Sequence, residues 1–176
     1  TIFQGTGFVL ANAGEQSTKG IEFDVIYKPA DSLELSFAGV LLDPIYDSFT
    51  AAPGPNNTVV DLSGEKPSGI SDTSLSFAAT YYFSLGGKET FLRGDYQYES
   101  EVNIVDNILD VSRETKSFNG SLGMNINDDL SVRLWGRNLT NHETFISAFP
   151  GVVQGTTVNS YPNQPRTYGV SVRYSF

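Results

Sequence analysis

Residues 165–176 read PRTYGVSVRYSF, and their alternation is the strongest structural signal in the chain. One side of this stretch carries Tyr168, Val170, Val172, Tyr174 and Phe176; the other carries Thr167, Gly169, Ser171, Arg173 and Ser175. A period of two places successive side chains on opposite faces of a strand. The pattern is therefore a strand with one apolar face and one small or polar face, kept up to the last residue, where the ends of soluble domains usually fray.

The same pattern recurs upstream. Ile21, Phe23, Val25 and Tyr27 alternate with Glu22, Asp24 and Ile26, and Leu33, Leu35, Phe37, Gly39 and Leu41 alternate with Glu34, Ser36, Ala38 and Val40. Leu75, Phe77, Ala79, Tyr81 and Phe83 oppose Ser74, Ser76, Ala78, Thr80 and Tyr82. Leu92, Gly94, Tyr96 and Tyr98 stand against Arg93, Asp95, Gln97 and Glu99; residues 118–126 and 130–137 repeat the arrangement. With a first strand expected near Phe3 to Ala13, the chain holds about eight strands and no organised helix.

Connections alternate in length. Residues 28–32 (KPADS), 84–89 (SLGGKE) and 127–129 (NDD) have the Gly, Pro, Asn and Asp content of tight turns. Between them lie long links at 43–72, 102–114 and 142–164, expected to be irregular. Short turns at one end and long loops at the other are the pattern of an outer-membrane β-barrel. Aromatics sit near the strand ends on the apolar side: Tyr27, Tyr81, Phe83, Tyr174 and Phe176 beside the short turns, Tyr98, Phe118 and Tyr168 toward the long loops. Such placement makes two girdles flanking an apolar band about 25 Å tall. In a soluble sandwich, by contrast, the outward faces would be charged.

Composition agrees. Among 176 residues there are 12 Phe, 9 Tyr and 17 Gly against one Met, and only 39% are hydrophobic, which is thin for a soluble core. The net charge of −9 argues against nucleic acid, whose binding needs Lys and Arg to neutralise phosphates. The absence of cysteine excludes disulfides and thiolate metal sites. No segment approaches the roughly 18 apolar residues of a spanning helix, but barrel strands need only about 9–11. The opening TIFQGTGFVL reads as a strand already under way, so a fragment of a longer protein is expected.

Three stretches resemble one family, the TonB-dependent outer-membrane receptors. Residues 12–37 (NAGEQSTKGIEFDVIYKPADSLELSF) are similar to its asparagine-glycine hairpin, lysine-glycine-isoleucine-glutamate strand and short turn. Residues 130–145 (LSVRLWGRNLTNHETF) resemble its penultimate strand, and PRTYGVSVRYSF its closing strand. The resemblance implies that residues 1–176 are the C-terminal portion of the β-barrel, an arc of a 22-stranded barrel whose plug lies outside this chain. It also implies active transport of a scarce ligand such as a ferric siderophore across the outer membrane of a Gram-negative bacterium. The expected partners are outer-membrane lipid, the receptor's own plug and remaining strands, and the TonB complex acting through the plug. The barrel assembly machinery joins them, reading the closing strand with Tyr174 and Phe176 as its signal. The alternatives are a self-contained eight-stranded barrel serving as anchor or small porin, and a soluble β-sandwich binding module.

Candidate sites follow from this placement. Loops carry recognition, so Tyr46, Phe49, Phe145, Phe149 and Tyr161 are candidate ligand contacts by aromatic stacking; the same rings can instead pack the loops together. On the polar side Arg93, Asp95, Arg133, Arg137 and Arg173 are expected to face the lumen, because an Arg or Lys facing lipid at mid-bilayer costs about 2–4 kcal/mol. In residues 136–141 (GRNLTN), Asn138 and Asn141 are expected to close the outer strand end through side-chain bonds to the backbone. His142 is the only histidine, and a metal site normally gathers several ligands, so no metal, no cofactor and no catalytic set is expected.

Overall fold

The computed structural model describes residues 2–4, 7–9, 14–54, 58–105, 110–151 and 157–176. In chain order the strands are β1 (Ile2–Gln4), β2 (Gly7–Val9), β3 (Glu15–Ala30), β4 (Leu33–Ser48), β5 (Ala52–Pro53), β6 (Val59–Val60) and β7 (Thr73–Leu85). They continue with β8 (Lys88–Asn103), β9 (Ser112–Asn125), β10 (Leu130–Arg137), β11 (Phe145–Pro150), β12 (Val158–Pro162) and β13 (Thr167–Tyr174). Seven of them form one antiparallel sheet in the order β13-β10-β9-β8-β7-β4-β3, a meander in which each strand bonds to its neighbours along the chain. Pairs β1-β2, β5-β6 and β11-β12 form separate two-stranded ribbons.

The expected first strand near Phe3 to Ala13 takes another form. Ile2 pairs with Val9 and Gln4 with Gly7, so β1 and β2 fold back on each other outside the main sheet. Residues 10–13 lie outside the described ones.

All three tight turns fall at one end of the sheet. Gly86 and Gly87 adopt φ of 60° and 76°, the left-handed pair that a two-residue hairpin requires. At the β9–β10 turn the Asn127 side chain accepts from the backbone N–H of Asp129 at 3.1 Å and of Leu130 at 2.7 Å. Across the β3–β4 turn Lys28 meets Glu34 at 2.8 Å. Phe176 leaves the sheet at this same end, where Ser175 N–H donates to the Asp129 carbonyl at 2.9 Å.

At the other end the strands run on past the point where their alternation stops. β3 and β4 reach 16 residues each, about 53 Å at 3.3 Å per residue, whereas a tilted span needs only about 9–11. Glu15 to Lys19 are polar on both faces because both faces meet water there, so the sequence gives no period-two signal. Pro44 lies within β4 and is fully buried. It sits on the edge between Leu42 N–H, which donates to Asp72 O, and Tyr46 N–H, which donates to Glu65 O. Having no N–H itself, it leaves no donor stranded there.

Register turns the one-dimensional alternation into two faces. Leu33, Tyr81, Leu92, Leu122, Leu134 and Val170 form one continuous row across six strands, each opposite the next. Phe37, Phe77, Tyr96 and Phe118 form another. These side chains are largely exposed, with Leu92 at 53% and Val170 at 62%. Buried apolar side chains among the described residues are few and mostly small or in the loops, such as Phe49, Ala52 and Val105. A bare apolar face this wide is unlike the surface of a water-soluble domain and matches the outward face of a transmembrane barrel strand.

Candidate functional site

The opposite face carries the polar chemistry. Arg93, Asp95, Arg133, Arg137 and Arg173 all stand on it. Across adjacent strands Glu34 faces Thr80, Thr80 faces Arg93, and Arg93 faces Ser121. Arg93 Nη1 donates to Thr80 Oγ1 at 3.1 Å, and its Nε lies 3.9 Å from Asp95 Oδ1. Asn119 Nδ2 donates to Asp95 Oδ2 at 2.7 Å, and Arg133 Nη2 to Ser121 Oγ at 3.0 Å. Higher on the wall Arg113 meets Glu99 at 3.2 Å.

Two large rings lie flat on this face, each over a glycine. A Cβ on Gly123 would stand 2.2 Å from Phe91 Cε1, and one on Gly169 would stand 2.2 Å from Trp135 Cζ2. The rings cover the bare Cα atoms, a packing of aromatic over glycine that pins register. Each ring is in turn capped by an arginine: Arg133 sits 6.0 Å from the Phe91 centroid, and Arg137 sits 5.3 Å from that of Trp135. Trp135 Nε1 donates to Ser171 Oγ at 3.1 Å, which fixes the indole in its plane.

Above the wall, Asn138 ties the outer loops together. It is 6% exposed and adopts φ of 48°, a left-handed conformation asparagine tolerates better than most residues. Its Nδ2 donates to the carbonyls of His142 and Gln164, both at 3.0 Å, and its Oδ1 accepts from His142 N–H at 2.9 Å. Its own N–H donates to Asn119 Oδ1 at 2.9 Å. Asn141, at φ of 52°, accepts from Arg166 N–H at 3.2 Å. The two asparagines thus close the outer strand end through side-chain bonds to the backbone. Asn163 adds a second tie, donating to His142 O at 2.8 Å and accepting from Thr144 N–H at 3.1 Å. Neither Asn119 nor Asn163 carried a signal in the sequence, since a lone asparagine marks no spacing. His142 Nε2 lies 3.0 Å from the Glu114 carbonyl, which can only accept, so this nitrogen bears the proton.

The loop aromatics divide by exposure. Phe49 is 8% exposed and packs against half-buried Tyr46, ring centroids 5.0 Å apart. Its backbone N–H donates to Ser63 Oγ at 2.9 Å, and Ser63 N–H donates to Asp61 Oδ1 at 2.9 Å. A hydrogen bond from the Ser63 side chain, reinforced by the one from its backbone N–H, holds the Asp61 carboxyl below its ordinary pKa. Residues 142–164, expected as an irregular link, carry the β11–β12 ribbon; on it Phe149 and Tyr161 lie 6.0 Å apart. Phe145 and Tyr161 remain exposed.

A meander with a lipid-type face, a polar face and all its tight turns at one end is the wall of a transmembrane β-barrel. The family model described as "TonB dependent receptor-like, beta-barrel" matches residues 1–139, and the chain belongs to that family, whose members are transport receptors of the Gram-negative outer membrane rather than enzymes. Two solved structures share the fold. The ferric yersiniabactin uptake receptor FyuA from Yersinia pestis matches at a TM-score of 0.78 and 14% identity, over 96% of this chain and 25% of that one. The siderophore receptor PiuA from Acinetobacter baumannii matches at 0.71 and 15% identity, over 92% of this chain and 22% of that one. The chain therefore spans about a quarter of the length of these receptors. No curated protein sequence matches it.

Proposed function

We propose that residues 1–176 are the C-terminal portion of the barrel of an active transport receptor that takes up a scarce ligand such as a ferric siderophore. The observation that carries this is the seven-stranded open sheet of a receptor-family barrel, whose edges β3 and β13 stand ready to pair with further strands. The apolar face meets outer-membrane lipid, and the polar face, with Arg93, Asp95, Arg133, Arg137 and Arg173, lines the lumen against the receptor's plug. Short turns face the periplasm and the Asn138-tied loops face outward. Of the loop aromatics, exposed Phe145 and Tyr161 are the ligand contacts, while Phe49 packs the loop that carries it. Energy comes from the TonB complex acting through the plug.

Deleting the receptor gene in its own bacterium should abolish uptake of radiolabelled iron supplied on one siderophore, and loss of TonB should do the same. Unchanged uptake across a broad siderophore panel would refute the iron assignment; uptake that survives without TonB would refute the energy source. Tyr174 and the exposed Phe176, 6.4 Å apart, form the assembly signal of the closing strand. Removing Phe176 should lower the receptor's outer-membrane level, and an unchanged level would sink that role.

A further inference from the structure

Positive charge on the polar face is not spread evenly. Arg93 and Arg113 each have a carboxylate, Asp95 and Glu99. Arg133 and Arg137, on β10, have none within ion-pair distance among the described residues, although the chain holds 20 acidic side chains against 11 basic ones. Between these two arginines lies a cavity of about 330 Å³, lined also by Trp135, Asn119, Ser121 and Ser171. We propose that this cavity is a carboxylate-binding site.

The geometry favours such a ligand. Trp135 is immobilised by Gly169 beneath it and by its bond to Ser171, so the guanidinium of Arg137 rests on a fixed plate 5.3 Å from the ring centre. A guanidinium stacked by its face keeps its N–H donors directed outward in its own plane, the fork that a carboxylate fits with two parallel bonds. Arg133 donates to Ser121 and lies over Phe91, and neither contact neutralises its charge. Asp95 lines the same cavity, held by Asn119 and Arg93. Its negative charge disfavours a doubly charged phosphate more than a singly charged carboxylate, because like charges in one site repel. The carboxylate comes either from a small molecule in the lumen or from a side chain of the same receptor outside residues 1–176. The site rests on the assignment of the polar face to the lumen.

The test uses the whole receptor, purified in detergent and labelled with fluorotryptophan, the Trp135 resonance being assigned through Trp135→Phe. Benzoate, a singly charged carboxylate, is the probe and its neutral methyl ester the control. If the site is open to free carboxylates, benzoate moves the Trp135 line saturably, the ester does not, and Arg137→Gln weakens the response at least tenfold. If the receptor fills the site itself, benzoate moves nothing, and Arg137→Lys is joined by a zero-length carbodiimide cross-link to a peptide outside residues 1–176. Arg137→Lys keeps the charge, so a loss of folding does not obscure this second arm. A benzoate response that Arg137→Gln leaves unchanged overturns the proposal, as does the absence of both response and cross-link. Neither arm reads siderophore uptake, so the outcome is separate from that of the transport assignment.

Discussion

Asn138 is the residue on which the outer end of this wall depends, and its replacement by alanine has a calculable cost. Three side-chain bonds disappear: Nδ2 to His142 O, Nδ2 to Gln164 O, and His142 N–H to Oδ1. At a net value of about 1 kcal/mol each, they come to about 3 kcal/mol. The left-handed backbone at φ of 48° adds a strain of about 1 kcal/mol for alanine that asparagine largely avoids. The consequence is local, because the bonds join the segment after β10 to the one before β13 rather than holding the sheet. The sum of about 4 kcal/mol corresponds to roughly a thousandfold rise in the opening equilibrium of these loops, which amide exchange reads directly. Hydrogen exchange by mass spectrometry on the folded receptor should show peptides covering residues 138–145 and 161–167 exchanging about a thousandfold faster in Asn138→Ala, with β7 and β8 unchanged. Asn138→Gly should recover only the backbone part, about 1 kcal/mol. Exchange in Asn138→Ala within threefold of the parent would refute the assignment of these bonds as the tie.

Gly169→Ala drives the indole of Trp135 off its seat and should cost about 1–2 kcal/mol, from the lost Ser171 bond and the lost Arg137 stack. Urea unfolding should give that cost in the parent and almost none in a Trp135→Ala background, and equal costs in both would contradict the coupling. Leu122→Arg on the apolar face should destabilise the receptor in lipid vesicles by about 2–4 kcal/mol, measured by the same unfolding; a cost near zero would mean the face does not meet hydrocarbon. Asp61, whose pKa is lowered by Ser63, stabilises its loop above the ordinary carboxylate pKa and loses that contribution as pH falls through the folded value. Exchange at Phe49 and Ser63, corrected for intrinsic rates, should therefore rise on acidification, and Asp61→Asn should remove the pH dependence.

What the sequence disclosed and what it hid follow from which segments carry the bare apolar face. Between the girdles one face must be apolar, so the alternation of Leu75 to Phe83 or Tyr168 to Phe176 is enforced and legible. Above the girdle the constraint vanishes, and β3 and β4 continue through Glu15 to Lys19 and through Asp43 to Ser48 without it. Even Pro44, ordinarily a sign against a strand, is accommodated on the side where its missing N–H costs nothing. The tie at Asn138 was legible in GRNLTN because asparagine side chains at a strand end bond readily to nearby backbone. Asn119 and Asn163, the partners brought in from β9 and from the far side of the β11–β12 ribbon, were not, since nothing in local spacing reports a contact made across the fold.

The glycines beneath Phe91 and Trp135 have a further effect, on the room left beside the wall. A phenyl or indole standing upright on the polar face would reach well out from the sheet. Laid flat on a bare Cα, each ring adds only its thickness. The sheet keeps its aromatic surface at little height, and how closely anything can approach β9 and β13 on this face is set by two missing methyl groups.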